Sequence, residues 1–187
     1  MDLIIFTGLQ ASGKSTFYST YFAATHNYVS KDALRNNKNP NKRQFQLIES
    51  ALQTQHSVVV DNTNPTIEVR KPLIELGRVY GATIIGYYFV PDLSQSLKRN
   101  RQRTGKAKVP DVALYTTHKK LEAPSYAEGF DKLYNVQIAG NARFEVSEWI
   151  EAGENKLIPP QSPLSMHLQV SLPGETPEPH HAEQNDV

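Results

Sequence analysis

The stretch Gly8-Leu9-Gln10-Ala11-Ser12-Gly13-Lys14-Ser15-Thr16 fits the pattern G-x-x-x-x-G-K-[ST] and follows Leu3-Ile4-Ile5-Phe6, an apolar run of strand length. No other feature constrains the fold as strongly. A glycine-rich loop between a buried strand and a helix wraps phosphate oxygens with backbone N–H groups, and the positive end of the helix adds to the attraction. Gly8, Ala11, Ser12, Gly13, Lys14, Ser15 and Thr16 are the expected nucleotide contacts. Lys14 brings a point charge to the β- and γ-phosphates, and the Ser15 hydroxyl is placed to ligate Mg²⁺. The loop says where a nucleotide's phosphates sit; what receives them has to be read elsewhere.

Behind the loop, apolar runs alternate with helical patterns. Strands are expected near 3–7, at 28–29, 58–60, 83–89 and 132–138, and helices at 14–24, 42–54, 66–80, 92–102 and 110–121. Such alternation predicts an α/β fold, a mainly parallel sheet with helices on both faces. The 187 residues, 39 % of them apolar, suffice for one domain with a real core, expected over 1–150. From Glu151 onward there are six acids and one base, and six of the twelve prolines lie in 159–179, so 151–187 reads as an acidic, largely disordered tail. Within it Met166, Leu168, Val170 and Leu172 alternate with polar residues, either by chance or as an edge strand or partner-docking segment. A tail charge of −5 within a net +1 leaves +6 on residues 1–150, which suits an anionic ligand. Strand-sized apolar runs, no signal-peptide pattern and no cysteine together predict a cytoplasmic protein without membrane spans, disulfides or zinc-thiolate sites.

Three further constellations carry chemistry. Val58-Val59-Val60 runs into Asp61-Asn62-Thr63-Asn64-Pro65, which offers Asp61 as a second Mg²⁺-related group at a strand's carboxyl end, with Asn62 and Thr63 beside it toward the acceptor. The same residues also fit plain turn chemistry, with Asn64 and Pro65 as N-cap and first-turn pair of the next helix. Lys31-Asp32-Ala33-Leu34-Arg35 places a carboxylate and a guanidinium three residues apart. Asp32 can accept a hydroxyl proton and Arg35 can grip a planar anion beside that hydroxyl, while an exposed surface ion pair is the plainer reading. Lys98, Arg99, Arg101, Arg103, Lys106 and Lys108 lie in one run without an acid, as in a lid that closes arginines over phosphates, or as a basic face toward nucleic acid.

In order along the chain, the loop, KDALR, DNTNP, the arginine-rich run ending in KVP, and EAPSYAEGF resemble the polynucleotide 5′-hydroxyl kinases, phage and animal, over about residues 1–140. The resemblance implies a P-loop kinase fold with an arginine-rich helical lid, and ATP and Mg²⁺ as donor and metal. It implies Lys14 and Ser15 at the donor phosphates and metal, Asp32 as general base, and Arg35 on the acceptor's 3′-side phosphate. Asp61 falls in the catalytic pocket, and Arg103, supported by Arg99, contacts ATP from the lid, with Arg101 competing for that register. DNA or RNA ends are the implied partners. The Asp-x-Asp-Gly-Thr phosphatase signature does not occur, so separate end-healing or ligase proteins are implied as well. Against this stand a kinase of a small phosphorylated metabolite and a nucleotide-gated binding protein. A GTP switch is disfavoured because Asn37-Lys38-Asn39-Pro40 lacks the aspartate of a guanine-reading motif.

Overall fold

The computed structural model describes residues 1–139 and 143–150; the tail, with its alternating segment at 166–172, lies outside the described residues. Six strands, β1 (Asp2–Thr7), β2 (Asn27–Val29), β3 (Val58–Val60), β4 (Thr83–Phe89), β5 (Lys132–Ile138) and β6 (Phe144–Glu148), form one sheet in the order β2-β3-β1-β4-β5-β6. The first five run parallel; β6 pairs antiparallel with β5, Val136 opposite Val146. The expected α/β architecture is the observed one. β1 sits centrally, between β3 and β4, so the loop that follows it opens at the sheet's carboxyl edge, where open α/β sheets bind ligands.

Strand periodicity of two sorts the core. Leu3, Ile5, Val58, Val60 and Ile84 face α2 (Pro40–Gln53) and α3 (Ile67–Val79), packing on Ile48, Leu52, Leu73 and Ile74. Ile4, Phe6, Val59 and Ile85 face the other way, onto Phe17 of α1 (Lys14–Tyr21) and onto Phe89 and Val136. Each such side chain, fully buried, contributes about 1.5–3 kcal/mol. The second layer is aromatic: Phe17 lies 5.4 Å from Phe89 and 5.1 Å from Phe144, ring centre to ring centre. α4 (Leu93–Gln102) and α5 (Asp111–Lys120) follow, joined through a short 3₁₀ turn at Gly105–Ala107.

Three expectations are corrected. The strand β6 was not anticipated. α1 ends at Tyr21, not near residue 24, because Phe22 to Thr25 turn, with Ala23 N–H bonded to Tyr18 and Thr25 N–H to Phe22. Asn64 does not cap α3: the N-cap is Thr66, and Asn64 adopts a left-handed backbone with its Nδ2 donating to the Phe6 carbonyl, 2.7 Å away.

Candidate active site

The loop from Gly8 to Gly13 is shaped by backbone that only glycine tolerates at two points. Gly13 has φ 93°, and a Cβ there would meet Ile138 Cδ1 at 2.9 Å and Phe144 Cε1 at 3.0 Å; at Gly8 it would meet Phe89 Cβ at 2.7 Å. Gly13 is also the N-cap of α1 and brings no side chain to the first-turn amides, which stay available to an anion. Lys14 is buried and its Nζ donates to the carbonyls of Gly8 (3.2 Å) and Leu9 and to Ser12 Oγ (3.2 Å), filling the cradle with its charge. Burial pushes its pKa down to about 8; Asp61 and Asp32 pull it up and Arg103 pushes it further down. Asp61, Asp32 and Arg103 are thus near enough for their charges to be felt at Lys14. Ala11 and Ser12 are buried in the loop, Thr16 is exposed in the first turn of α1.

Asp61, buried at the end of β3, accepts from Ser15 Oγ at 2.6 Å and from the Tyr28 hydroxyl at 2.8 Å, both on Oδ2. Burial, with the Asp61 charge added, pushes the Tyr28 phenol up to about 12, so it stays a donor. A hydroxyl and a carboxylate in contact are the hard oxygen set that Mg²⁺ takes from protein when substrate phosphates supply the rest. Among the described residues no group of three or more His, Cys, Asp or Glu side chains converges.

The two loops are tied together. Gly8 N–H donates to the Thr63 carbonyl at 3.0 Å. Asn62 accepts from Lys31 N–H and donates to Gln44 Oε1 at 2.8 Å, so its amide joins the segment after β2 to α2 and is committed to structure. Thr63 is half-buried beside it. Behind this loop Arg70, fully buried, makes a two-pronged pair with Glu128 (Nε to Oε2 and Nη2 to Oε1, each 2.7 Å) and donates Nη1 to the carbonyls of Asn64 and Glu122. The EAPSYAEGF segment is therefore a brace for the loop that carries Asp61.

Residues 31–37 form successive turns and not a helix, with Leu34 N–H on the Lys31 carbonyl and Asn37 N–H on that of Leu34. The Asp32–Arg35 pair forms nonetheless, Nη2 to Oδ1 2.7 Å, with the Asp32 side chain 80 % exposed. The free edge of the guanidinium reaches further: Arg35 Nη1 donates to the Lys106 carbonyl at 2.7 Å, linking the turn to the basic segment. There Arg99 Nε donates to the Ala11 carbonyl at 2.7 Å, whereas Arg101 pairs with Asp111 at 3.5 Å and is largely exposed. Arg99 thus lies against the phosphate loop and Arg101 away from it, while Arg103 Nη1 donates to the Ala107 carbonyl at 3.4 Å. Buried Asn100 holds the segment's shape, bonding both the N–H and the carbonyl of Val109.

Tyr28, Gln44, Arg70 and Asn100 escape a reading by motif, and Glu128 lies inside EAPSYAEGF without a role assigned to it there. Only Arg70 leaves a sequence signal, since with Leu73, Ile74 and Gly77 it completes the buried stripe of α3.

Residues 3–124 match the AAA domain family, AAA_33. The chain belongs to that family. It is similar to the bifunctional polynucleotide phosphatase/kinase of Schizosaccharomyces pombe, 28 % identical over 142 residues, which cover 72 % of this chain and 33 % of the relative. It is also similar to the L-seryl-tRNA(Sec) kinase of Methanococcus maripaludis, 27 % identical over 173 residues, covering 82 % of this chain and 67 % of the relative. The chain spans about a third of the length of the first of these. Among solved structures, a gluconokinase from Sinorhizobium meliloti superposes with a TM-score of 0.54 at 23 % identity, covering 74 % of this chain and 83 % of that one. The fold is that of the P-loop kinases. No helix among the described residues is long and apolar enough to cross a membrane.

Proposed function

We propose that this chain is an ATP- and Mg²⁺-dependent kinase that phosphorylates the 5′-hydroxyl end of DNA or RNA. The observation that carries this reading is the Asp32–Arg35 pair, joined through Arg35 to the Lys106 carbonyl and electrostatically coupled, through Asp32, to Lys14. It sets an exposed base and a planar cation side by side at the mouth of a phosphate site. P-loop kinase activity itself is supported by the family and by both curated relatives. The similarity to the polynucleotide phosphatase/kinase supports the acceptor.

Asp32 takes the proton of the acceptor hydroxyl, Arg35 turns from Asp32 to the acceptor's 3′-side phosphate, and Lys14, Arg99 and Arg103 hold charge that spreads over the transferring group. Ser15 and Asp61 would hold Mg²⁺ beside the phosphates, and the metal would supply further neutralisation of that charge. The product, a 5′-phosphorylated end, is what separate ligase or end-healing proteins would consume. The similarity to the seryl-tRNA kinase favours, as a second reading, an alcohol carried on RNA.

The test is incubation with γ-labelled ATP, Mg²⁺ and 5′-hydroxyl DNA and RNA oligonucleotides, with gluconate in a parallel arm. Label on the oligonucleotide 5′ end is expected. Label on gluconate alone reassigns the acceptor, and free phosphate alone supports a nucleotide-gated binder.

A further inference from the structure

Beside the acceptor turn, at the α2 and α3 side of the sheet, lies an open cavity of about 210 Å³. Phe45, Val69, Pro72 and Leu73 give it apolar walls, and Lys31, Asn41, Gln44 and Asn64 its polar ones; no carboxylate among the described residues lines it. It shares a wall with the active site, because Lys31 N–H and Gln44 both bond Asn62 of the loop after β3. The Lys31 ammonium makes no hydrogen bond or ion pair among the described residues, although the residue is half-buried and burial lowers its pKa. An unpaired, partly desolvated cation in an apolar cleft is a donor set without an acceptor.

We infer that this cavity receives the nucleobase of the acceptor's terminal nucleoside, its ring face against Phe45 and a carbonyl or ring nitrogen on Lys31. The inference rests on the kinase reading above and names which part of the acceptor is recognised. Size favours one ring system: pockets for whole drug-sized ligands run to roughly 300–1,000 Å³. Chemistry favours an aromatic heterocycle over a polyol, since four apolar walls and no carboxylate offer hydroxyls little, while a base presents π faces and lone pairs at its edge. Reach is consistent as well. Lys31, which lines the cavity, directly precedes Asp32 in the acceptor turn, their Cα atoms about 3.8 Å apart, so cavity and candidate base are neighbours along the chain.

The experiment compares two 5′-hydroxyl oligonucleotides, identical except that the first nucleotide carries either a base or a tetrahydrofuran abasic analogue. The parent protein should show a kcat/KM ratio, base over abasic, of roughly 5- to 150-fold, as expected for one stacked base. Phe45→Leu, which keeps apolar volume in the core and removes the ring, and Lys31→Met should each bring the ratio toward one. The ratio, unlike the absolute rate, does not move when a variant merely folds less well. Equal use of both ends by the parent, or an unchanged ratio in both variants, overturns the inference and leaves the kinase reading standing. Phosphorylation of neither end overturns both.

Discussion

Glu128→Gln removes one negative charge from a pair that is sealed from water, the Arg70 side chain 0 % exposed and that of Glu128 4 %. The amide keeps an acceptor for one guanidinium N–H but leaves the charge of Arg70 uncompensated, and removing one partner of a buried pair costs about 3–5 kcal/mol. For a domain near 150 residues each kcal/mol moves the melting midpoint by about 2–4 °C, so a drop of about 6–20 °C is expected at neutral pH. The loss should be largely shared. Arg70→Met alone should be comparably damaging, whereas Arg70→Met with Glu128→Leu should lose far less than the sum of the single changes, because nothing charged is then left buried. Thermal and urea melts of the four proteins close the cycle. A loss under about 1 kcal/mol for Glu128→Gln, or additive single losses, would refute the idea that this pair braces the loop behind Asp61.

Lys14 has a folded pKa of about 8 against an ordinary 10.5, so between those values the unfolded chain holds a proton that the folded one does not, and stability rises with pH. Relative to Lys14→Met, the ligand-free parent should therefore gain about 3 kcal/mol from pH 8 to 10.5, and a flat difference in denaturant melts contradicts the burial of that charge. Asp32→Asn keeps shape and removes basicity; kcat should fall by roughly 100-fold or more with ATP affinity little changed. Arg103→Ala should slow transfer and weaken ATP binding together, while Arg101→Ala, which frees only an exposed contact to Asp111, should be milder in the same steady-state assay.

What the sequence made legible follows from what leaves a pattern. Parallel strands buried on both faces are apolar runs, so β1, β3 and β4 can be read directly, and Asp61 declares itself by ending one of them. β6 hides because it is an exposed antiparallel edge whose backbone pairing to β5 holds it while most of its residues face solvent. Its one deep contact, Phe144 over Gly13 and Phe17, is long-range. Arg70 sits on the buried stripe of α3 and Glu128 inside EAPSYAEGF, but that the two pair is hidden, because a spacing of 58 residues carries no local signal. Tyr28 looks like a strand aromatic and becomes a donor to Asp61 only when β2 and β3 pair in register, Val29 opposite Val60. The register of the lid arginines likewise depends on Asn100 and Val109 folding the segment back, which no spacing rule encodes.

The claim that a phosphorylated chain is the acceptor is tested most directly at Arg35, by crossing an enzyme change with a substrate change. Phosphorylation of a 3′-nucleotide and of the matching nucleoside is measured with the parent and with Arg35→Ala. A charge-assisted contact of about 1.5–3 kcal/mol predicts that the parent prefers the nucleotide by roughly 10- to 150-fold and that the variant loses most of this factor on the nucleotide and little on the nucleoside. Equal losses on both acceptors would contradict a contact between Arg35 and the acceptor's phosphate.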